Sequence, residues 1–547
     1  MRPLDWVVMI ASVAAVVLYG LWKARGSDTT DKYLRAGNTM PWYAMALSIM
    51  ATQASAITFI STTGQGYVDG MRFVQFYFGL PLAMVILSVT AVPLFHRANV
   101  YTAYEYLEKR FDARTRTLVS IIFLIQRGLA VGLALSAPAI VLTVILGWPD
   151  QYTTLIMGVI VVVYTVMGGV QAVTWTDFQQ MLIMMAGLAA ALFMAVYLLP
   201  ENIGLTGALT VAGAAGKLNP VTTSFAWDDR YNIWSGLFGG AFLALAYFGC
   251  DQSQVQRYLT GSSIAQSRLG LLFNAIAKIP MQFLILLTGA IVFAFFTFVQ
   301  PPLLFQPGDM AKLRANPAYP ALQQQFDTAF QKRHEAAARL VRGEADRDAF
   351  QAAQKDIDTA RKQAAAITGG NDTNYVFLHF VTHYLPQGIV GLIIAAILAA
   401  AMSTISGEIN SLATVSVIDI YKRLLRPAAE DSHYLWASRA FTAFWGAYAV
   451  ITAQFAKNLG SLVEAVNLLG SLFYGGILGV FALAMYFPRV GANGAFYGVL
   501  AGEAVIFTLH FTGATSFLWY NVAGCAAVIS TGFLVSRLEY HRGHGNQ

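Results

Sequence analysis

Apolar runs of bilayer length recur along the whole chain. They lie near 5–23, 42–68, 73–96, 117–147, 151–170, 176–199, 231–250, 268–299, 376–412, 435–456, 460–487, 490–511 and 515–537, about thirteen in all. A membrane helix needs about 20 mostly apolar residues, and most of these runs meet that length. Two polar segments interrupt the series. Residues 200–230 form a mostly uncharged loop, and residues 301–372 form an insertion that opens with Pro301, Pro302, Pro307 and Gly308. From Leu322 to Ile367 the insertion is rich in Ala, Gln and charge, with a break at Gly343. That pattern predicts two soluble helices in a hairpin.

The stretch Gly391 to Asp419 departs from plain hydrophobicity. It is apolar and Ala-rich, yet Ser403, Thr404, Ser406, Glu408, Asn410 and Ser411 lie in its middle. Such groups inside a bilayer must face protein, water or an ion. Small residues let neighbouring helices approach closely. Ser403 and Thr404 are hard oxygen donors of the kind a small cation takes, so the stretch predicts half of a cation site. The other half is sought in the 42–68 run, which carries Ser48, Thr52, Gln53, Ser55, Thr58, Thr62 and Thr63. A helix broken there would free backbone carbonyls near Ala51 and Ala54 to meet Ser403 and Thr404. The same small polar residues also suit simple helix packing.

Composition narrows the class. The chain of 547 residues is 56% hydrophobic and 12% charged. A soluble domain carries about 25% charge, so this is a polytopic membrane protein. Two cysteines, Cys250 and Cys525, exclude a disulfide framework. The net charge of +6 belongs to loops and does not point to nucleic acid. Lys23 and Arg25 follow the first run, which places the N-terminus outside and, by parity, the C-terminus in the cytoplasm of a multi-pass plasma (inner) membrane protein. Lys109, Arg110, Arg114 and Arg116, then Lys422, Arg423 and Arg426, fall in loops on that same inner side.

Several ionisable groups need a reason to be where they are. Asp177 opens the 176–199 run, either as a helix-capping acid or as a charge beside a cation. Arg127 and Lys278 each sit about ten residues into a span; each either binds an anionic substrate group or pairs with an Asp or Glu. Tyr247, beside Gly249, Gln252 and Gln254, suits either a gate under a polar substrate or an interfacial aromatic belt. The eight histidines are scattered, and His379 and His383, spaced four apart, have no acidic ligand nearby. No catalytic constellation is legible, so an enzyme is not expected.

The motifs Tyr33-Leu-Arg-Ala-Gly-Asn38 with Pro41-Trp42, Thr102 to Phe111, Gly168-Gly169 to Asp177 and Asp251 to Arg257 occur in order. The Ala-Ala-Met-Ser-Thr run ending at Thr404, then Asn410-Ser411, Asp419-Ile-Tyr421 and Gly494 to Gly498, complete the series. Together they resemble the sodium/solute symporter family, across nearly the whole chain except the 301–372 insertion. The resemblance implies an all-α fold of the leucine-transporter type, a five-plus-five inverted repeat with about 13 transmembrane helices. Residues 1–40 would hold the first span, 41–200 repeat one, 201–487 repeat two with the insertion at 301–372, and 488–547 the peripheral spans and tail.

It further implies a sodium ion held by the carbonyls of Ala51, Ala54 and Ala400 and the hydroxyls of Ser403 and Thr404, with Asp177 nearby. A second ion would use Ser406 and its neighbour, but Gly407 has no hydroxyl, so one sodium is expected. Likeness to the sugar-transporting branch implies solute contacts at Gln53, Thr58, Tyr77, Lys278 and Asn467, with Tyr247 as inner gate. Arg127 lies in a segment similar to the vitamin and monocarboxylate branch. The implied activity is sodium-driven import of a small polar solute, a sugar or polyol or a small carboxylate, by alternating access; proton coupling is the alternative. Na+ as coupling ion, the solute and the bilayer are the expected partners, with no organic cofactor and no obligate protein partner.

Overall fold

A computed structural model describes residues 1–23, 29–344, 347–455 and 461–544. The described residues are helical, apart from loops and one isolated bridge between Met40 and Gly261. A bilayer offers backbone groups no water, so each span must satisfy its own N–H and C=O groups. Nine described helices are long and apolar enough to cross, ten if one bent pair counts as a span.

The bent pair is the 42–68 run, broken as its polar content suggested. Helix Trp42–Gln53 stops at Ala54, whose φ of −87° and ψ of 76° are not helical. The chain resumes as Thr58–Val68 after a bend of 64°. Asp150–Tyr197 runs as 48 residues, about 72 Å if straight, against a hydrocarbon core of about 30 Å. Gly169 divides it, with φ 57° and ψ −166°, a backbone that only glycine adopts freely. A side chain there would also strike Tyr33. The boundary expected near Thr176 therefore falls at Gly169, and Asp177 lies inside a helix rather than at its start. The N-terminal capping reading of Asp177 is corrected on that ground.

The run expected at 376–412 is also two elements. Val376–Tyr384 is a short helix, Gly388 turns the chain at φ 82°, and the long helix begins at Ile389. It continues through wider π-type turns to Leu425. Among the described candidate spans this helix is the most enclosed: 89% of its most apolar stretch is buried, against 22% for Pro3–Lys23. Its Ala and Gly residues allow neighbours to pack on every side.

The insertion forms the expected pair of helices, Tyr319–Val341 and Arg347–Thr368, separated by Gly343 at φ 84°. Phe326, Phe330, Ile357, Ala360 and Ala364 make a small core of their own. Buried Arg333 donates to the Phe296 carbonyl at 2.7 Å, satisfying an end carbonyl of helix Ile264–Phe298 and tying the pair to the membrane bundle.

Candidate functional site

Two buried charge clusters flank the break in the Trp42–Val68 span. The first is centred on Asp177, which is fully buried. Ser403 Oγ donates to Asp177 Oδ1 at 2.6 Å, and Ser48 Oγ donates to Oδ2 at 2.6 Å. Arg257 Nη2 stands 3.6 Å from Oδ2. The break supplies the next partner. Helix Trp42–Gln53 ends there, so its last carbonyls lack next-turn donors. Ala54 N–H closes on Met50 O at 2.8 Å, and Thr404 Oγ1 donates to Thr52 O at 3.1 Å. Ala51 and Ala54 flank Thr52 in sequence, and Ala400 precedes Ser403 by one turn; all three are fully buried. Asp177, Ser403, Thr404 and the freed end of the broken helix thus converge across three helices.

Gly407 has a different use from the one its neighbours suggest. A Cβ there would collide with the guanidinium of Arg257, so glycine makes room for that side chain. Ser406 Oγ turns back to the Ser403 carbonyl at 3.0 Å. No hydroxyl pair forms at 406–407.

The second cluster surrounds Arg127. Its Nη1 donates to Glu408 Oε1 at 2.8 Å, its Nη2 pairs with Asp251, and Nη2 also donates to Tyr474 Oη at 2.6 Å. Tyr474 passes its own hydroxyl proton toward Asp251 Oδ2 at 2.9 Å. The other oxygen of Asp251 caps helix Gln252–Leu259, accepting from Ser253 N–H at 2.9 Å and Ser253 Oγ at 2.7 Å. Of the readings open for Arg127, the acid pair is therefore the one present. It also accounts for Glu408.

This cluster borders a cavity of ≈ 100 Å³ beside the break. Gln53, Thr58, Tyr77, Arg127, Tyr247 and Asn467 all line it, as do Thr404 and Glu408. Tyr247 closes one side, its ring centroid 5.5 Å from the Arg127 guanidinium and its hydroxyl held by Gln254 Nε2 at 2.8 Å. Lys278 is outside the lining. Its fully buried Nζ has no hydrogen-bond partner and stands 5.7 Å from the Tyr77 ring, so pairing with an acid is excluded for it within the described residues. A larger space of ≈ 840 Å³ lies among Leu129, Phe455, Leu468 and Phe517. It is mainly apolar and lacks converging buried charges, so the smaller cavity is the better candidate.

Glu408, Gln126 and Tyr474 were not anticipated as lining residues. For Tyr474 a signal existed: Val463, Asn467, Gly470 and Tyr474 repeat at helical spacing along one face of Leu462–Tyr486.

A mid-span break, a buried acid ringed by hydroxyls and an adjoining polar cavity together define a secondary transporter. The chain belongs to the sodium:solute symporter family, whose sequence profile matches residues 33–325 and 352–502. The unmatched stretch 326–351 is only the middle of the insertion, so the likeness reaches further into it than the motifs suggested. The chain is 27% identical over 542 residues to the sodium/sialic acid symporter NanT of Aliivibrio fischeri, covering 97% of this chain and 93% of that one. It is 26% identical to the sodium/glucose cotransporter of Vibrio parahaemolyticus (93% and 85% covered) and 27% identical to the human sodium-coupled monocarboxylate transporter 1 (92% and 72%). A solved Na+-coupled sialic acid symporter, substrate-bound and outward-open, superposes with a TM-score of 0.78 at 24% identity, covering 98% of each chain. The protein is a multi-pass membrane transporter of the sodium symport class.

Proposed function

We propose that the chain imports a small polar organic solute, driven by one sodium ion bound at the Asp177 cluster, with alternating access between two five-helix repeats. The observation that carries this reading is the convergence of Ser403, Ser48 and Asp177 with the Thr404–Thr52 contact at the broken helix. The oxygens suit a hard cation: hydroxyls, carbonyls at a helix break and one carboxylate. Ala51, Ala54 and Ala400 would offer carbonyls, and Ser403 and Thr404 hydroxyls.

When the cation enters, the hydroxyl hydrogens of Ser403 and Ser48 rotate off Asp177 and their lone pairs turn to the ion. When it leaves, the same hydroxyls and Arg257 keep the buried acid from standing bare. Solute binds in the cavity beside the break, touching Gln53, Thr58 and Asn467, with Tyr247 as the gate. Thr404 links the two sites, since it lines the cavity and also bonds the Thr52 carbonyl. Each ligand then raises the other's affinity by reciprocal linkage. The membrane potential adds about 2.3 kcal/mol per charge per 100 mV to inward movement.

The test is uptake into proteoliposomes of labelled glucose, glycerol, ethanolamine, alanine and lactate, with sodium replaced by choline at fixed pH. Uptake is expected only with sodium, and Ser403→Ala and Thr404→Ala are each expected to need about tenfold more sodium for half-maximal uptake. Uptake in choline driven by a pH gradient would replace sodium with a proton.

A further inference from the structure

We infer that Glu408 makes the solute cavity selective for a solute bearing a protonated amine and excludes simple carboxylates; this rests on the cavity being the solute site proposed above. Glu408 is buried, with 5% of its side chain exposed, and lines the cavity. Its Oε1 is held by Arg127, while its Oε2 has no hydrogen-bond partner among the described residues. A carboxylate paired to a guanidinium offers only acceptor positions, so the group that completes Oε2 is a donor. The Oε1 atoms of Gln53 and Gln126, both cavity-lining, are also unpartnered acceptors. An amide can turn to present either end, so these two fit a donor-rich solute without selecting it.

Charge decides between a neutral and a cationic donor. With both acids ionised, Arg127 contributes +1, Asp251 −1 and Glu408 −1, which leaves the cluster at −1. The Asp177–Arg257 pair is balanced within itself. Lys278 lies outside the lining, on the Tyr77 ring. An uncompensated buried charge is strongly disfavoured, and a solute ammonium at Oε2 removes it. A solute carboxylate meets the opposite situation. The Nη1 and Nη2 groups of Arg127 are engaged by Glu408, Asp251 and Tyr474, and only Nε lacks a partner. An anion reaching Nε would sit beside two carboxylates.

The test uses the purified full chain, in sodium chloride and again in choline chloride, and size-matched solutes of three charges. These are ethanolamine, ethylene glycol and glycolate, then glucosamine, glucose and gluconate, with apparent affinity read from the thermal shift. The amine of each set is expected to bind at least about tenfold tighter than its carboxylate, the scale of a charged hydrogen bond. In Glu408→Gln that ratio is expected to fall to about twofold or less. Competition of the same solutes against sodium-driven uptake by the unmodified protein gives an independent reading if the variant does not fold. Tighter binding of the carboxylates, or an unchanged ratio in Glu408→Gln, would overturn the inference while leaving sodium coupling intact. Amine preference that is indifferent to sodium would instead remove the coupling and leave the inference standing.

Discussion

Asp177 and Asp251 are both fully buried carboxylates facing an arginine, yet their surroundings differ in kind. Around Asp177 the close partners are hydroxyls at 2.6 Å, and the arginine stands off at 3.6 Å without a hydrogen bond of its own. Around Asp251 the arginine is in direct contact, shared with Glu408 and braced by Tyr474. Hydroxyls rotate at little cost and can turn their oxygens to an arriving ion. A fixed network of ion pairs cannot be opened so cheaply, because each released charge would be left unpaired in a low dielectric. The first cluster is suited to exchange and the second to permanence. They lie on the two sides of one break, with Thr404 between them, bonded to the Thr52 carbonyl and lining the cavity.

Substitutions that touch one cluster should therefore differ in what they damage. The largest effect is expected from Asp177→Asn, which keeps the shape and removes the charge. Sodium-driven uptake should fall about 100-fold, equivalent to the roughly 3 kcal/mol of a strong charged contact, a larger change than the lowering of melting temperature expected from leaving Arg257 without its acid. Arg127→Met should do the reverse. It strands Asp251 and Glu408 and should cost about 3–5 kcal/mol of stability, read as a lowered melting temperature, with partial recovery in the double variant with Glu408→Gln. Ser403→Ala removes one hydroxyl and should raise the sodium concentration for half-maximal uptake about tenfold. The smallest effect is expected at Lys278, whose Nζ has no partner. Lys278→Met should raise stability by about 1 kcal/mol, since it removes a buried amine that has no hydrogen-bond partner, and unfolding in denaturant would measure it.

Much of the first cluster was legible because its signals are local. The polar run from Ser48 to Thr63 announced a broken span, and Ser403 and Thr404 stood out in an apolar helix. The insertion's two helices and their break at Gly343 followed from composition alone. The contacts of the first cluster are as distant, 226 and 129 positions for Asp177 with Ser403 and with Ser48, and the family resemblance joined Asp177 to Ser403; nothing comparable joined Arg127 to Glu408 and Asp251, 281 and 124 positions away. Nothing local to Glu408 names its partner. The capping alternative for Asp177 fails for a physical reason. Trp175-Thr176-Asp177 reads like a helix start, yet the helix has already restarted past Gly169, where only a backbone conformation marks the turn. The start of the central helix misled similarly, since apolar residues continue through Val376–Tyr384 and only Gly388 at φ 82° separates the two elements.

The central claim is that sodium binds among Asp177, Ser403 and Thr404. Equilibrium binding of radioactive sodium to the purified protein addresses it without knowledge of the solute. Saturable binding of one ion per chain is expected, weakened at least about tenfold in the double variant Ser403→Ala, Thr404→Ala and lost in Asp177→Asn. Sodium binding of unchanged affinity in both variants would contradict the account.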